Sequence, residues 1–84
     1  MLMSGKAPQK RQAPTWGVGE KVVLKMDNRR EPAQVILATR NGRSLAVEFD
    51  GFLAGYLNRM CLLWHDGAYH DLIGDRVVTV RKTP

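Results

Sequence analysis

Five side chains able to do chemistry fall close together: Cys61, His65, Asp66, His70 and Asp71. Thiolate, imidazole and carboxylate make up the donor set of zinc, which gathers three or four of them at about 2.0–2.3 Å. Asp66-Gly67 is a two-residue hairpin signal. With that turn, His65 pairs with Ala68, Trp64 with Tyr69, Leu63 with His70 and Cys61 with Leu72. One face then carries Cys61, Leu63, His65, Ala68, His70 and Leu72, and the other Leu62, Trp64, Tyr69 and Asp71. His65 and His70 become diagonal neighbours. Cys61 lies four residues from His65, roughly 13 Å along a strand, which is too far to share an ion. Two histidines need ligands from elsewhere, so no metal or other cofactor is expected.

Nucleophilic and general acid–base chemistry find no better footing. Ser44 follows a turn and Cys61 sits in an apolar run, and neither has an identifiable base. Glu48 and Asp50 share the outward side of one strand, where solubility accounts for them. No glycine-rich phosphate loop leads into a helix. The chain is expected not to be an enzyme.

Binding is what remains, and charge ranks the partners. The 84 residues carry 13 Lys and Arg against 8 Asp and Glu, a net charge of +5. Lys6, Lys10 and Arg11 contribute +3 of this within residues 1–15, which contain no acid, so the remainder holds only +2. A basic arm of this kind meets phosphates in a salt-dependent way. The further candidates for nucleic-acid contact are Arg29 and Arg30 at one expected turn, and Arg40 and Arg43 at the next. Consecutive hairpin turns lie at opposite ends of a meander, so the two pairs form no common strip, although barrel curvature can bring one pair near Arg59 or Arg81. Trp16, Trp64 and Tyr69 are the candidates for a protein partner, since exposed aromatics mark interfaces. For Trp16 the favoured reading is a lid folded over a barrel end.

The elements that must hold these residues are strands. Val22, Leu24 and Met26 alternate with Lys21 and Lys25. A polar turn over Asp27–Glu31 and Pro32 follow. Ala33, Val35 and Leu37 then face one way, and Gln34, Ile36 and Ala38 the other. Asn41-Gly42 marks a tight turn, after which Leu45, Val47 and Phe49 point inward, and Asp50-Gly51 closes the meander. Residues 52–59 read as a short helical turn or a loop crossing a barrel end, with Phe52 and Tyr56 as core plugs. Met60–His65 reads as a strand covered on both faces, and Arg76–Arg81 as a final β-branched strand. Residues 1–15 lack periodicity and contain Gly5, Pro8 and Pro14, so they read as a disordered basic tail before a domain over 16–84. A chain of this size buries roughly 60–65% of its unfolded surface. The expected fold is an all-β, five- or six-stranded antiparallel barrel. One cysteine, no apolar leader and no apolar run of membrane length point to a cytoplasmic protein without membrane association.

The frame VGEKVVL…PAQVILA…NGRSLAVEFDG, residues 18–51, resembles the opening of Tudor-like and other SH3-like barrels. Members of those families bind methylated peptides, nucleic acid or proteins. The resemblance implies a small adaptor barrel, but Asp27–Glu31 supplies no aromatic to begin a methyl-ligand cage. Bacterial PilZ barrels, which bind cyclic diguanylate, are a second comparison. Their paired arginines stand four apart, whereas Arg30 is followed at that distance by Gln34, and Asn41–Ser44 departs from the spacing of their second motif. A degenerate PilZ-like ligand sensor is the third reading, after nucleic-acid binding and protein binding. If the basic arm contributes, removing residues 1–15 weakens the gel-shift affinity for RNA or DNA and flattens its dependence on salt.

Overall fold

Each strand of this chain buries one side and shows the other to water, so a single sheet satisfies them all only by closing on itself. In a computed structural model, which describes residues 12–83, six strands do so: β1 (Lys21–Met26), β2 (Arg29–Ala38), β3 (Ser44–Leu53), β4 (Tyr56–His65), β5 (Ala68–Asp71) and β6 (Val77–Lys82). Every neighbour in sequence is an antiparallel neighbour in space, and β6 returns to pair with β1, closing an all-β barrel. Closure leaves no sheet edge open along the paired strands.

The core follows the alternation. Val22, Leu24 and Met26 from β1, Val35 from β2, Leu45, Val47 and Phe49 from β3, Met60 and Leu62 from β4, Tyr69 from β5 and Val78 from β6 fill the interior. The β4–β5 hairpin adopts the expected register, with Leu63 opposite His70, Trp64 opposite Tyr69 and His65 opposite Ala68. At its turn Asp66 and Gly67 both take positive φ, 54° and 77°.

Two irregularities in the ladders overturn the simple alternation. Between β2 and β3 the pairs Val35–Val47 and Leu37–Ala46 leave Ile36 as an extra residue. This β-bulge flips the side chains after it, so Leu37 is exposed while Ala38 packs on the core. Between β3 and β4, residues 49–51 stand opposite Asn58 alone. Asp50-Gly51 is therefore a bulge and not a turn. Gly51 takes φ 79°, its N–H bonded to Asn58 Oδ1 at 3.1 Å.

The strand continues past the bulge, and the turn falls at Ala54-Gly55, with φ of 52° and 87°. Residues 52–59 are thus two strand ends and a hairpin, not a helical turn, and β4 starts at Tyr56. Phe52 is no core plug, being 66% exposed opposite Leu57, while Tyr56 is half-buried. Cys61 and Leu63 are also exposed, so Met60–His65 is covered on one face only. A single-walled barrel has no second layer to cover the other. The first turn is shorter than expected, with Asp27 and Asn28 between β1 and β2. Pro32 lies within β2, before the β3 ladder begins at Gln34, and edge-like positions of this kind tolerate proline.

One buried carboxylate ties the loops at one end. Asp71 accepts hydrogen bonds from Tyr56 Oη (2.9 Å), Gly74 N (2.9 Å), Arg76 N and Arg76 Nη2 (3.2 Å). Arg76 Nη2 also donates to Ala54 O at 3.0 Å, and Ile73 N to Tyr56 Oη at 2.8 Å. Burial alone would raise the Asp71 carboxyl, but the Gly74 and Arg76 amides, the guanidinium and the Tyr56 hydroxyl outweigh it and hold it at about 2. A carboxyl lowered in this way stabilises the fold above its ordinary pKa near 3.8 and loses that contribution as pH falls through about 2. The contribution is about 2 kcal/mol. Urea melts should therefore show stability falling between about pH 4 and pH 2. Asp71→Asn should cost about 2–4 kcal/mol at neutral pH and flatten the acid limb; an unchanged midpoint would refute the role given to this carboxylate.

Candidate functional site

Strand alternation that buries Val22, Leu24 and Met26 turns Val23 and Lys25 outward. Register places Lys25 opposite Arg30 on β2, and Val23 opposite Arg81 on β6. With Lys82, these residues line a groove of about 350 Å³. Like charges directly opposed across a ladder are unfavourable, and here Lys25 faces Arg30 with Arg81 on the adjoining strand. Among the described residues none of these three is in an ion pair. Lys82 does have a partner: its Nζ is 3.4 Å from Glu20 Oε2, whose carboxyl is lowered first by the Gly17 N–H and further by Lys82. The groove has no aromatic wall. It is a cationic trough that can attract an anion and relieve its own repulsion.

The other basic candidates lie apart from it. Arg29 opens β2 opposite Met26 and is exposed, but does not line the groove. Arg40 and Arg43 are exposed at the far end of β2. There Arg43 shares a 270 Å³ cleft with Gln12, Ala13 and Asn41. Lys6, Lys10 and Arg11 lie outside the described residues. A roomier cleft of about 450 Å³ opens where β2, β3 and β4 splay at the bulge. It is lined by Glu31, Glu48 and Asp50 against Lys21 alone, so it does not suit an anion.

The three candidate aromatics do not form an exposed patch. Tyr69 is in the core, its hydroxyl donating to Gly42 O at 2.6 Å and accepting from Trp16 Nε1 at 3.0 Å. Burial raises its pKa, and the Trp16 bond partly offsets this. Trp16 is half-buried against the core, and Trp64, also half-buried, packs edge-on against Tyr69 with ring centroids 4.8 Å apart. Exposed apolar side chains include Phe52 and Leu57 at the β3–β4 hairpin and Leu72 and Ile73 on the β5–β6 loop, with Val18, Leu37, Leu63 and Val77 exposed on other elements.

The histidines are as close as the hairpin implies. The His65 and His70 rings stack at 3.7 Å with an interplanar angle of 17°. The β5–β6 loop adds Asp75, whose Oδ1 is 3.2 Å from His65 Nε2, while Asp66 Oδ2 is 3.4 Å from His65 Nδ1. Asp75 raises the His65 pKa against a smaller desolvation effect, and Asp66 adds to the rise. Sequence reading missed Asp75 here, and in the groove it missed Val23, Lys25 and Lys82, while Arg81 was named only as a residue that curvature can bring near an arginine pair. Asp75 arrives through a loop fold and Arg81 and Lys82 through closure, whereas Val23 and Lys25 follow from the outward face of β1 and its hairpin with β2.

No family model matches the chain, and no match was found to a curated protein or to a solved structure.

Gly42 fixes the lead-in that carries Trp16. It takes φ 74°, and a Cβ there would collide with the Pro14 carbonyl. Gly42→Ala should displace residues 13–16, shift the Trp16 indole N–H resonance and lower stability by about 1–3 kcal/mol. Gly55→Ala meets no neighbouring atom and should leave that resonance in place.

Proposed function

We propose that the protein is a non-catalytic small β-barrel that binds nucleic acid through the outer face of β6, β1 and β2. One observation carries the reading: Lys25, Arg30 and Arg81 converge on one groove without carboxylate partners among the described residues. A phosphate backbone is a repeating anion that such a trough can follow, releasing counterions as it binds. The trough offers no stacking platform, so the expected recognition is of backbone and not of base sequence. The basic residues of the first fifteen positions add to the same electrostatic attraction. The likeness of residues 18–51 to SH3-like and Tudor-like openings supports an adaptor role, and a reducing cytoplasm suits the exposed Cys61 thiol.

A protein partner is the second reading, and it now rests on Phe52, Leu57 and Ile73 in place of the buried Tyr69. Phe52 faces Leu57 across the hairpin, and the Ile73 amide is bonded to Tyr56 beside it. A PilZ-like ligand sensor has no comparable support.

Fluorescence anisotropy with labelled single-stranded RNA and duplex DNA separates these readings. Arg30→Glu with Arg81→Glu should weaken binding at least about tenfold and reduce the salt slope by about one for each phosphate no longer neutralised, while Phe52→Ser leaves it unchanged. Binding that ignores salt, or survives both charge reversals, sinks the nucleic-acid reading.

A further inference from the structure

We propose that His65, His70 and Asp75 form a binding site for one first-row transition-metal dication of the zinc class. The three residues come from the end of β4, from β5 and from the β5–β6 loop, and each offers a ligand atom within 4.8 Å of the others. Bonds of about 2.0–2.1 Å in a tetrahedron set ligand atoms about 3.3 Å apart. His65 Nε2 and Asp75 Oδ1 stand 3.2 Å apart, joined by a hydrogen bond from the imidazole N–H to the carboxylate, and an ion displacing that proton would find the two ligand atoms close to this spacing.

The atoms behind the ligands are also arranged for a metal. A ligating histidine ordinarily gives its second ring N–H to a carboxylate or a carbonyl, which fixes the tautomer and directs the other nitrogen at the ion. His70 Nδ1 lies 3.2 Å from Ala68 O, a bond only an N–H can make, and this leaves Nε2 its lone pair. His65 Nδ1 has the Asp66 carboxylate at 3.4 Å, leaving Nε2 to face Asp75. Both histidines thus carry an outer partner on the same ring nitrogen, and both present Nε2.

Two imidazoles and one carboxylate select borderline ions over the oxygen-seeking magnesium and calcium. Water completes the coordination, since His65 and His70 are half-exposed and Asp75 is exposed. One movement is required. Stacked rings point their lone pairs in parallel planes, so His70 must turn out of the stack to converge on the ion. Asp75 is held from behind by its own N–H to Asp71 O at 3.0 Å, which anchors the third ligand to β5. A bound ion would tie three consecutive elements together, and the site lies on different strands from the cationic groove.

The test is a titration of Co²⁺, then Zn²⁺, into tag-free, chelator-treated full-length protein. Visible absorption of the bound Co²⁺ and the histidine ring resonances are followed. The expected result is a one-to-one Co²⁺ spectrum displaced by Zn²⁺, with shifts centred on His65, His70 and Asp75 and a raised melting midpoint. His70→Gln and Asp75→Asn should each weaken binding at least about tenfold, while Cys61→Ser, removing the exposed thiol, leaves it unchanged. The wild-type ring resonances locate the ion even if a variant fails to fold. No Co²⁺ spectrum at a tenfold excess of ion, ring resonances that do not move, or binding lost in Cys61→Ser but kept in Asp75→Asn would each overturn the assignment.

Discussion

The Asp71 carboxylate is the point on which one end of the barrel depends. A buried charge is tolerated only when its oxygens are fully engaged, and here four donors from β4 and the β5–β6 loop meet it. The result is a fixed geometry for a loop of five residues that would otherwise have little to hold it. Tyr56 and Arg76 extend the same network to the β3–β4 turn, so two loops that share no strand pairing are locked together. The position of Asp75 beside the histidine pair is a by-product of that lock, since the Asp75 amide is bonded to the Asp71 carbonyl.

Closure sets the other surface. Pairing of β6 with β1 brings the last strand beside the first and sets Arg81 on the same groove as Lys25 and Arg30. Three cations then share a small area with no acid among the groove's lining residues, an arrangement whose repulsion opposes folding. Glu20 compensates only Lys82. The opposite end is treated differently: Trp16 lies over it, tied to the Tyr69 hydroxyl, and the lead-in over Pro14 fits against Gly42. Its aromatics pack against the core. Among the exposed apolar side chains, Phe52 and Leu57 sit together on the long β3–β4 hairpin and Leu72 and Ile73 on the β5–β6 loop.

Local chemistry made much of this legible. Alternation along Val22–Met26 and Leu45–Phe49 named the inner face of β1 and β3, because a strand with one wet side has a period of two. Asp66-Gly67 set the β4–β5 register, because its left-handed turn fixes which residues oppose. The diagonal placement of His65 and His70 followed from that register, and the separation of Arg29 and Arg30 from Arg40 and Arg43 from the order of turns. Two of the misreadings fall where a ladder gains residues. Ile36 inverts everything after it in β2, and residues 49–51 carry Asp50-Gly51 through a bulge that resembles a turn in composition.

By itself, then, the sequence determined a chain of short strands, their inward faces and the hairpin register around the histidines. Those properties depend on neighbours two to five residues away, whose preferences are written locally. Only the tertiary structure decided where the bulges fall, that Tyr69 is core, that Asp75 joins the histidines, and that Arg81 shares a groove with Arg30. Each of these joins residues through barrel closure or through a buried charge network. Both are settled by the packing of the whole sheet and not by any segment of it.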